Sequence, residues 1–209
     1  MELTKQKNYQ QAFDLACASI RGMDLEERAN KAGVQYQKGK EGEELIVQFF
    51  SEPYHIRLPQ VEFYSPDKKA VSLVTRDILL HYLIKADGSP VTGKWVAYKD
   101  IPGGLLYAGV FARRVTEPLV KQFGRSAKSL MDSGLRRGGK PGGVGDASLV
   151  FQVLPRVPMQ YVLWEGDEEF PPNVQLLFDA SVDHHLSLED IVVLGQMAIR
   201  RLIYFFGKM

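Results

Sequence analysis

A chain of 209 residues, 45% of them hydrophobic and 24% charged, is long enough to bury a core of its own. Its 26 basic residues against 25 acidic ones leave no global charge excess to draw it to nucleic acid or an anionic membrane. The single cysteine, Cys17, excludes an internal disulfide and any cysteine-ligated zinc or iron–sulfur centre within the chain.

The first twenty residues carry Glu2 and Asp14 and no unbroken apolar run, so neither a signal peptide nor a membrane anchor is expected, and the expected compartment is the cytoplasm. Tyr9, Ala12, Phe13, Ala16, Cys17 and Ile20 recur at helical spacing and end at Gly22; Cys17 lies on this stripe and reads as a small buried thiol. A short second helix is signalled by Asp24 as N-cap, Glu27 completing a capping box, and Gly33 at its end. From residue 44 the period changes to two. Leu45, Val47 and Phe49, then Tyr54, Ile56 and Leu58, then "VEFY" predict an antiparallel meander broken at Ser51–Pro53 and Pro59, with His55 on its solvated face.

"SLVTRDILLHYLIKADG" predicts a central helix, apolar on nearly every side, with His81 as a core residue and Asp87–Gly88 as the stop. "GLLYAGVFARRVTEPLVKQFGRSAKSLMD" predicts helical pieces broken at Thr116–Pro118 and at Gly124. "SLVFQVLP", "QYVLWEG" and "VQLLFDA" predict three strands covered on both faces. Ser187 and Asp190 form a second capping box, opening a helix striped by Ile191, Leu194, Ala198, Leu202 and Phe205. The expected fold is a single α+β domain over 1–209, with antiparallel sheet strands, packed helices and helical N- and C-termini. Its parts are a helical segment at 1–33, a meander at 44–64, a sheet at 148–179 and a helix at 187–206.

Three places carry candidate chemistry. "GLRRGGKPGG" matches the first seven positions of a phosphate loop, but the preceding segment reads as helix, Pro141 replaces the magnesium-binding hydroxyl, and "GGVGD" cannot propagate a helix, so a nucleotide loop is rejected. What survives is a mobile glycine-rich loop carrying Arg136, Arg137 and Lys140 as candidate anion-binding residues. Between Ala112 and Lys140 basic residues exceed acidic ones by six, so net neutrality hides a bipolar chain. "WEGDEEFPP" gathers Glu165, Asp167, Glu168 and Glu169 into an acidic turn that invites a cation or an arginine, without the alternating spacing of a calcium loop. "DASVDHHLSLED" combines His184 and His185 with carboxylates just before a helix; in extended chain the two rings point to opposite sides, so at most one serves a given centre. The helix N-terminus favours the neutral, ligating imidazole. No catalytic residue is identified, and no catalytic serine–histidine–aspartate or H-E-x-x-H arrangement can be argued from the spacing.

"LPRVPMQYVLWEGDEEFPPNVQLLFDASVDHHLSLEDIVVLG", with "SPVTGKWVAYKDIPGGLLY" upstream, resembles the family of domain of unknown function 3786, found in anaerobic bacteria and archaea. The resemblance runs from about residue 20 to the end and transfers no catalytic residue. It implies a place near anaerobic corrinoid or haem chemistry, since some relatives add an iron–sulfur module whose cysteines this chain lacks; no iron–sulfur cluster is expected here.

The expected function is therefore a non-catalytic binding or accessory domain for a large anionic cofactor of the tetrapyrrole type, corrinoid or haem. Arg136, Arg137 and Lys140 would meet its carboxylates, Trp164 would line an apolar wall, and His184 or His185 would approach its metal. The alternative is an interaction module docking a redox, corrinoid or methyl-transfer protein through its bipolar surface. The charge balance, and the spacing of Tyr107, Phe111 and Phe123 as core rings, argue against nucleic acid. Oligomeric state is not encoded in any feature of the sequence.

Overall fold

The computed structural model describes residues 2–40 and 42–203, with side chains from residue 10 onward. The chain is α+β and divides into two compact units. The first is built from residues up to Pro90 together with Val153–Arg156 and His184–Leu186; the second takes Val91–Gln152, Val157–Asp183 and the chain from Ser187. No helix among the described residues is long and apolar enough to cross a membrane.

In the first unit, helices α1 (Glu2–Arg21) and α2 (Leu25–Ala32) precede four strands, β1 (Gln35–Gly39), β2 (Gly42–Phe49), β3 (Glu52–Leu58) and β4 (Glu62–Tyr64). The strands pair in sequence order as an antiparallel meander. Strand β1, nearly all exposed, has no apolar alternation to signal it. Leu45, Val47, Phe49, Ile56 and Leu58 fill the buried face. The other face carries Glu44, which takes Arg57 Nε at 2.9 Å and lies 3.3 Å from His55 Nδ1, so His55 is half-buried in a cross-strand charge cluster rather than simply solvated. Helix α3 (Leu73–Lys85) packs on α1, burying Ile78, Leu79, Leu80, Tyr82 and Leu83, while His81 is half-buried. Arg28 of α2 donates to the carbonyls of Leu83, at 2.8 Å, and Ala86, satisfying the last turn of α3. Phe13, Ala16, Cys17 and Ile20 are buried as the stripe requires; the side chain of Tyr9 and the whole of Phe205 lie outside the described residues.

The second unit holds a five-stranded sheet of order β5-β9-β8-β7-β6, made from Trp95–Ala97 (β5), Lys140–Pro141 (β6), Ala147–Leu154 (β7), Val157–Trp164 (β8) and Asn173–Asp179 (β9). The two short edge strands escape periodicity because they are too short to show one. On one face the rings of Phe111 and Phe178 meet at 5.9 Å and those of Phe151 and Tyr161 at 5.6 Å. Helices α4 (Ala108–Phe111), α5 (Glu117–Phe123), α6 (Ala127–Leu135) and α7 (Leu188–Ile203) belong to this unit. The expected break at Thr116–Pro118 does not occur. A π turn over Ala112–Thr116 joins α4 to α5, and Thr116 and Glu117 both stay in the right-handed helical region. Pro118 lacks an N–H and its ring would clash with the carbonyl four residues back; the wider turn, closed by the Glu117 N–H on Ala112 O, carries the helix past it. Gly124 does end α5.

Candidate functional site

The site begins where α3 stops. Beyond Lys85 the chain turns through Asp87, whose Oδ1 accepts the N–H of Ser89 at 2.8 Å. Its Oδ2 stands 2.8 Å from Nδ1 of His184, on a 3-10 turn over Val182–His184, with the two side chains about half exposed. The Ser89 N–H, and after it the His184 ring, hold the Asp87 carboxyl well below the usual carboxylate range. An ionised carboxylate accepts but cannot donate, so Nδ1 carries the proton and Nε2 is the ring nitrogen left to act as acceptor or ligand.

His185 turns the other way and is fully buried, its ring 6.3 Å from that of Tyr82. Neither of its ring nitrogens has a hydrogen-bond partner of normal geometry. Desolvation holds its pKa below the ordinary histidine value, against a smaller upward pull from Asp87, so the ring is neutral. In this arrangement it presents no nitrogen to solvent; of the two imidazoles, His184 is the accessible one. Below them Tyr82 donates its hydroxyl to Ala32 O at 2.5 Å and accepts the Arg156 N–H at 3.1 Å, while burial pushes its pKa far above the tyrosine range.

The remaining candidates belong to the second unit. Arg136 is exposed and Arg137 half-buried just after α6, and Lys140 is exposed on β6 opposite Val150. The glycine-rich loop is laced to the sheet, contrary to the expected mobile linker. The N–H groups of Gly142 and Val144 donate to O and Oγ of Ser148, each at 2.9 Å, and that of Asp146 to Leu163 O at 2.9 Å. Its glycines serve close packing. A Cβ on Gly142 would lie 2.5 Å from Gln160 Nε2, and one on Gly139 would lie 2.6 Å from Phe151 Cζ.

Trp164 closes β8, partly exposed and in register with Asn173. The next residue, Glu165, donates its N–H to Asp146 Oδ2 at 2.7 Å, and its carboxylate accepts the N–H of Ala127 in the first turn of α6. Asp167 accepts the N–H groups of Phe170 at 2.7 Å and Glu169 at 2.9 Å, which depress its pKa. Two of the four clustered carboxylates are thus occupied with backbone amides. Glu168 and Glu169 line a shallow groove with Arg125 and Phe170. The structure therefore joins Trp164, the far limb of the glycine loop and the acidic turn at one end of the second sheet.

Two carboxylates have partners that the sequence does not signal. Asp87 is 97 residues from His184, so no motif spacing links them. Asp179, 1% exposed, takes Thr92 N–H and Oγ and Ser181 N–H and Oγ on Oδ1, and Gly93 N–H on Oδ2, all within 3.0 Å. Burial alone would raise its pKa, but these donors outweigh burial and the pKa is lowered. With every donor supplied by neighbouring chain, Asp179 is a structural hub. Among the described residues no group of three or more histidine, cysteine, aspartate or glutamate side chains is placed to hold a metal ion.

No curated protein and no solved structure matches the chain. A family profile does, over residues 24–201, which is most of the chain, and its description is "Domain of unknown function (DUF3786)"; the protein belongs to that family.

Proposed function

We propose that this protein is a binding or accessory domain for a large anionic cofactor that carries its own metal, of the corrinoid or haem type, which His184 would help to hold through its imidazole. The observation that supports this reading is the Asp87–His184 pair, which fixes the tautomer and leaves Nε2 as the ligating nitrogen. A free metal ion needs three or four protein ligands, and none are gathered among the described residues. A macrocycle brings most of its metal's ligands with it, so a single protein imidazole could hold it, and a half-exposed ring oriented by a carboxylate would suit that task. When bound, the cofactor would supply the metal chemistry; the chain's own part is to bind and orient it. Arg136, Arg137 and Lys140, with Trp164, stand as separate candidates for contacts to cofactor carboxylates and rings.

Titration with haemin and with hydroxocobalamin, followed by absorbance, tests the reading. A saturable spectral shift at micromolar protein is expected, lost in His184→Ala and weakened about tenfold in Asp87→Asn, which removes the orienting charge. No shift with either compound, or a shift indifferent to His184→Ala, would remove the proposal.

A further inference from the structure

Three consecutive large apolar residues, Leu105, Leu106 and Tyr107, are 72%, 87% and 54% exposed on a single 3-10 turn over Gly104–Tyr107. The ring spacing that groups Tyr107 with Phe111 and Phe123 predicts core packing for all three; Phe111 and Phe123 are buried, and Tyr107 is not. Isolated exposed leucines need no explanation, but three in a row form a patch of the kind that marks an interaction site.

The turn is firmly mounted. Gly103 takes a left-handed φ of 80°, and Gly104 is buried so closely that a Cβ there would lie 2.0 Å from Tyr98 O. The Gly104 N–H donates to Ile101 O at 2.7 Å, and Tyr98 stacks on Phe111 with ring centroids 4.4 Å apart and planes 6° from parallel. Apolar side chains on a fixed turn lose little freedom when a partner covers them.

The charges that follow the turn along the chain are mainly basic. Leu106, Gly109 and Arg113 follow one another at helical spacing, all exposed. Arg113 and Arg114 are both exposed and make no hydrogen bond or ion pair among the described residues. From Ile101 to Met131 the one acid is Glu117, against Arg113, Arg114, Lys121, Arg125 and Lys128, with Asp100 just before this stretch and Asp132 just after it.

We propose that Leu105, Leu106 and Tyr107 form a docking knob for a partner protein whose surface offers an apolar cleft edged by carboxylates, which Arg113 and Arg114 meet at the rim. Tyrosine and arginine around a small apolar centre are the residues that dominate binding energy at protein interfaces. A single turn is too small an apolar surface to hold a membrane, which calls for a longer amphipathic face. The inference is independent of the cofactor reading, since it uses no residue of the Asp87–His184 site.

The test places the photo-cross-linker benzoylphenylalanine at position 106 of the full chain. After irradiation in lysate of the producing organism, the cross-linked partner peptides are sequenced. One recurring peptide from an acidic surface is expected, with its yield cut about tenfold by Arg113→Glu with Arg114→Glu, and cut also by raised salt. Leu105→Ser with Leu106→Ser should abolish capture through a second cross-linker at position 109, with the thermal midpoint unchanged because both leucines are exposed. A scatter of unrelated peptides, a partner surface without carboxylates, or a yield indifferent to the arginine reversals overturns the proposal. So does co-sedimentation with phosphatidylserine vesicles that depends on the two leucines, which would make the knob a membrane contact.

Discussion

His185 is a fully buried polar ring whose nitrogens lack hydrogen-bond partners of normal geometry, and that position sets the direction of a pH effect. Its folded-state pKa is depressed by desolvation, so the native protein binds fewer protons at this site than the unfolded chain does. Stability from this group is complete above the unfolded histidine value of about 6.5 and is lost as pH falls below it toward the folded value. Leucine fills a similar volume and has no ring nitrogens to desolvate. His185→Leu is therefore expected to gain about 1 kcal/mol at neutral pH and to flatten the fall in stability below about pH 6.5. Urea midpoints at three pH values between neutral and mildly acidic check both parts; equal slopes for variant and parent would show that His185 is not the group that titrates. His184, its neighbour, should contribute nothing comparable to stability, because its pair with Asp87 is half exposed and screened by solvent.

Two helices open on the same capping pattern, and the structure separates their energetics. At α7, Ser187 Oγ accepts the Asp190 N–H at 3.1 Å, and Asp190 Oδ2 receives both the hydroxyl of Ser187 at 2.6 Å and its N–H at 3.3 Å. At α2, Asp24 accepts the Glu27 N–H at 3.0 Å, but the Glu27 carboxylate turns to Lys31 Nζ at 2.6 Å. Ser187→Ala should accordingly cost about 1 kcal/mol, whereas Glu27→Ala should cost about 0.5 kcal/mol or less, both read by chemical denaturation. Equal losses would mean that the reciprocal bond at α7 adds nothing. Caps, stripes and the meander were legible in the sequence because each rests on residues three or four apart, or on strict alternation. The π turn at Ala112–Thr116 was not, since Pro118 signals a break whether the helix ends there or widens to pass it. Strands β5 and β6 were not, since a strand of two or three residues exists only through its partner. The site was half legible: the histidines stood out as a pair, while which of them is accessible, and that Asp87 orients it, depended on chain brought together from distant positions.

At the scale of the whole molecule, the first unit is not a contiguous segment. Its amide of Phe50 donates to Val153 O at 2.9 Å, the Tyr82 hydroxyl accepts the Arg156 N–H, and Arg156 Nη2 donates to Asn30 O at 3.2 Å. His185, which fills the space beside Tyr82, arrives from later still in the chain. A fragment ending at Pro90 would keep α1, α2, α3 and the meander yet leave the Phe50 amide and the Tyr82 ring without these partners, and a buried group stripped of its partner costs about 1–3 kcal/mol. Small units have little stability to spare against several such losses. The fragment 1–90 is therefore expected to be unfolded or molten, with weak helical circular dichroism and no cooperative thermal transition, whereas within the full chain the first unit unfolds cooperatively. A fragment that melts cooperatively near the temperature of the full chain would show that the two returning segments are bystanders to the first unit's stability. His184 would then sit on a segment merely laid against a finished scaffold. If the fragment fails to fold, the segment that brings His184 to Asp87 is part of what builds the unit, and forming the site and folding the first unit are one event.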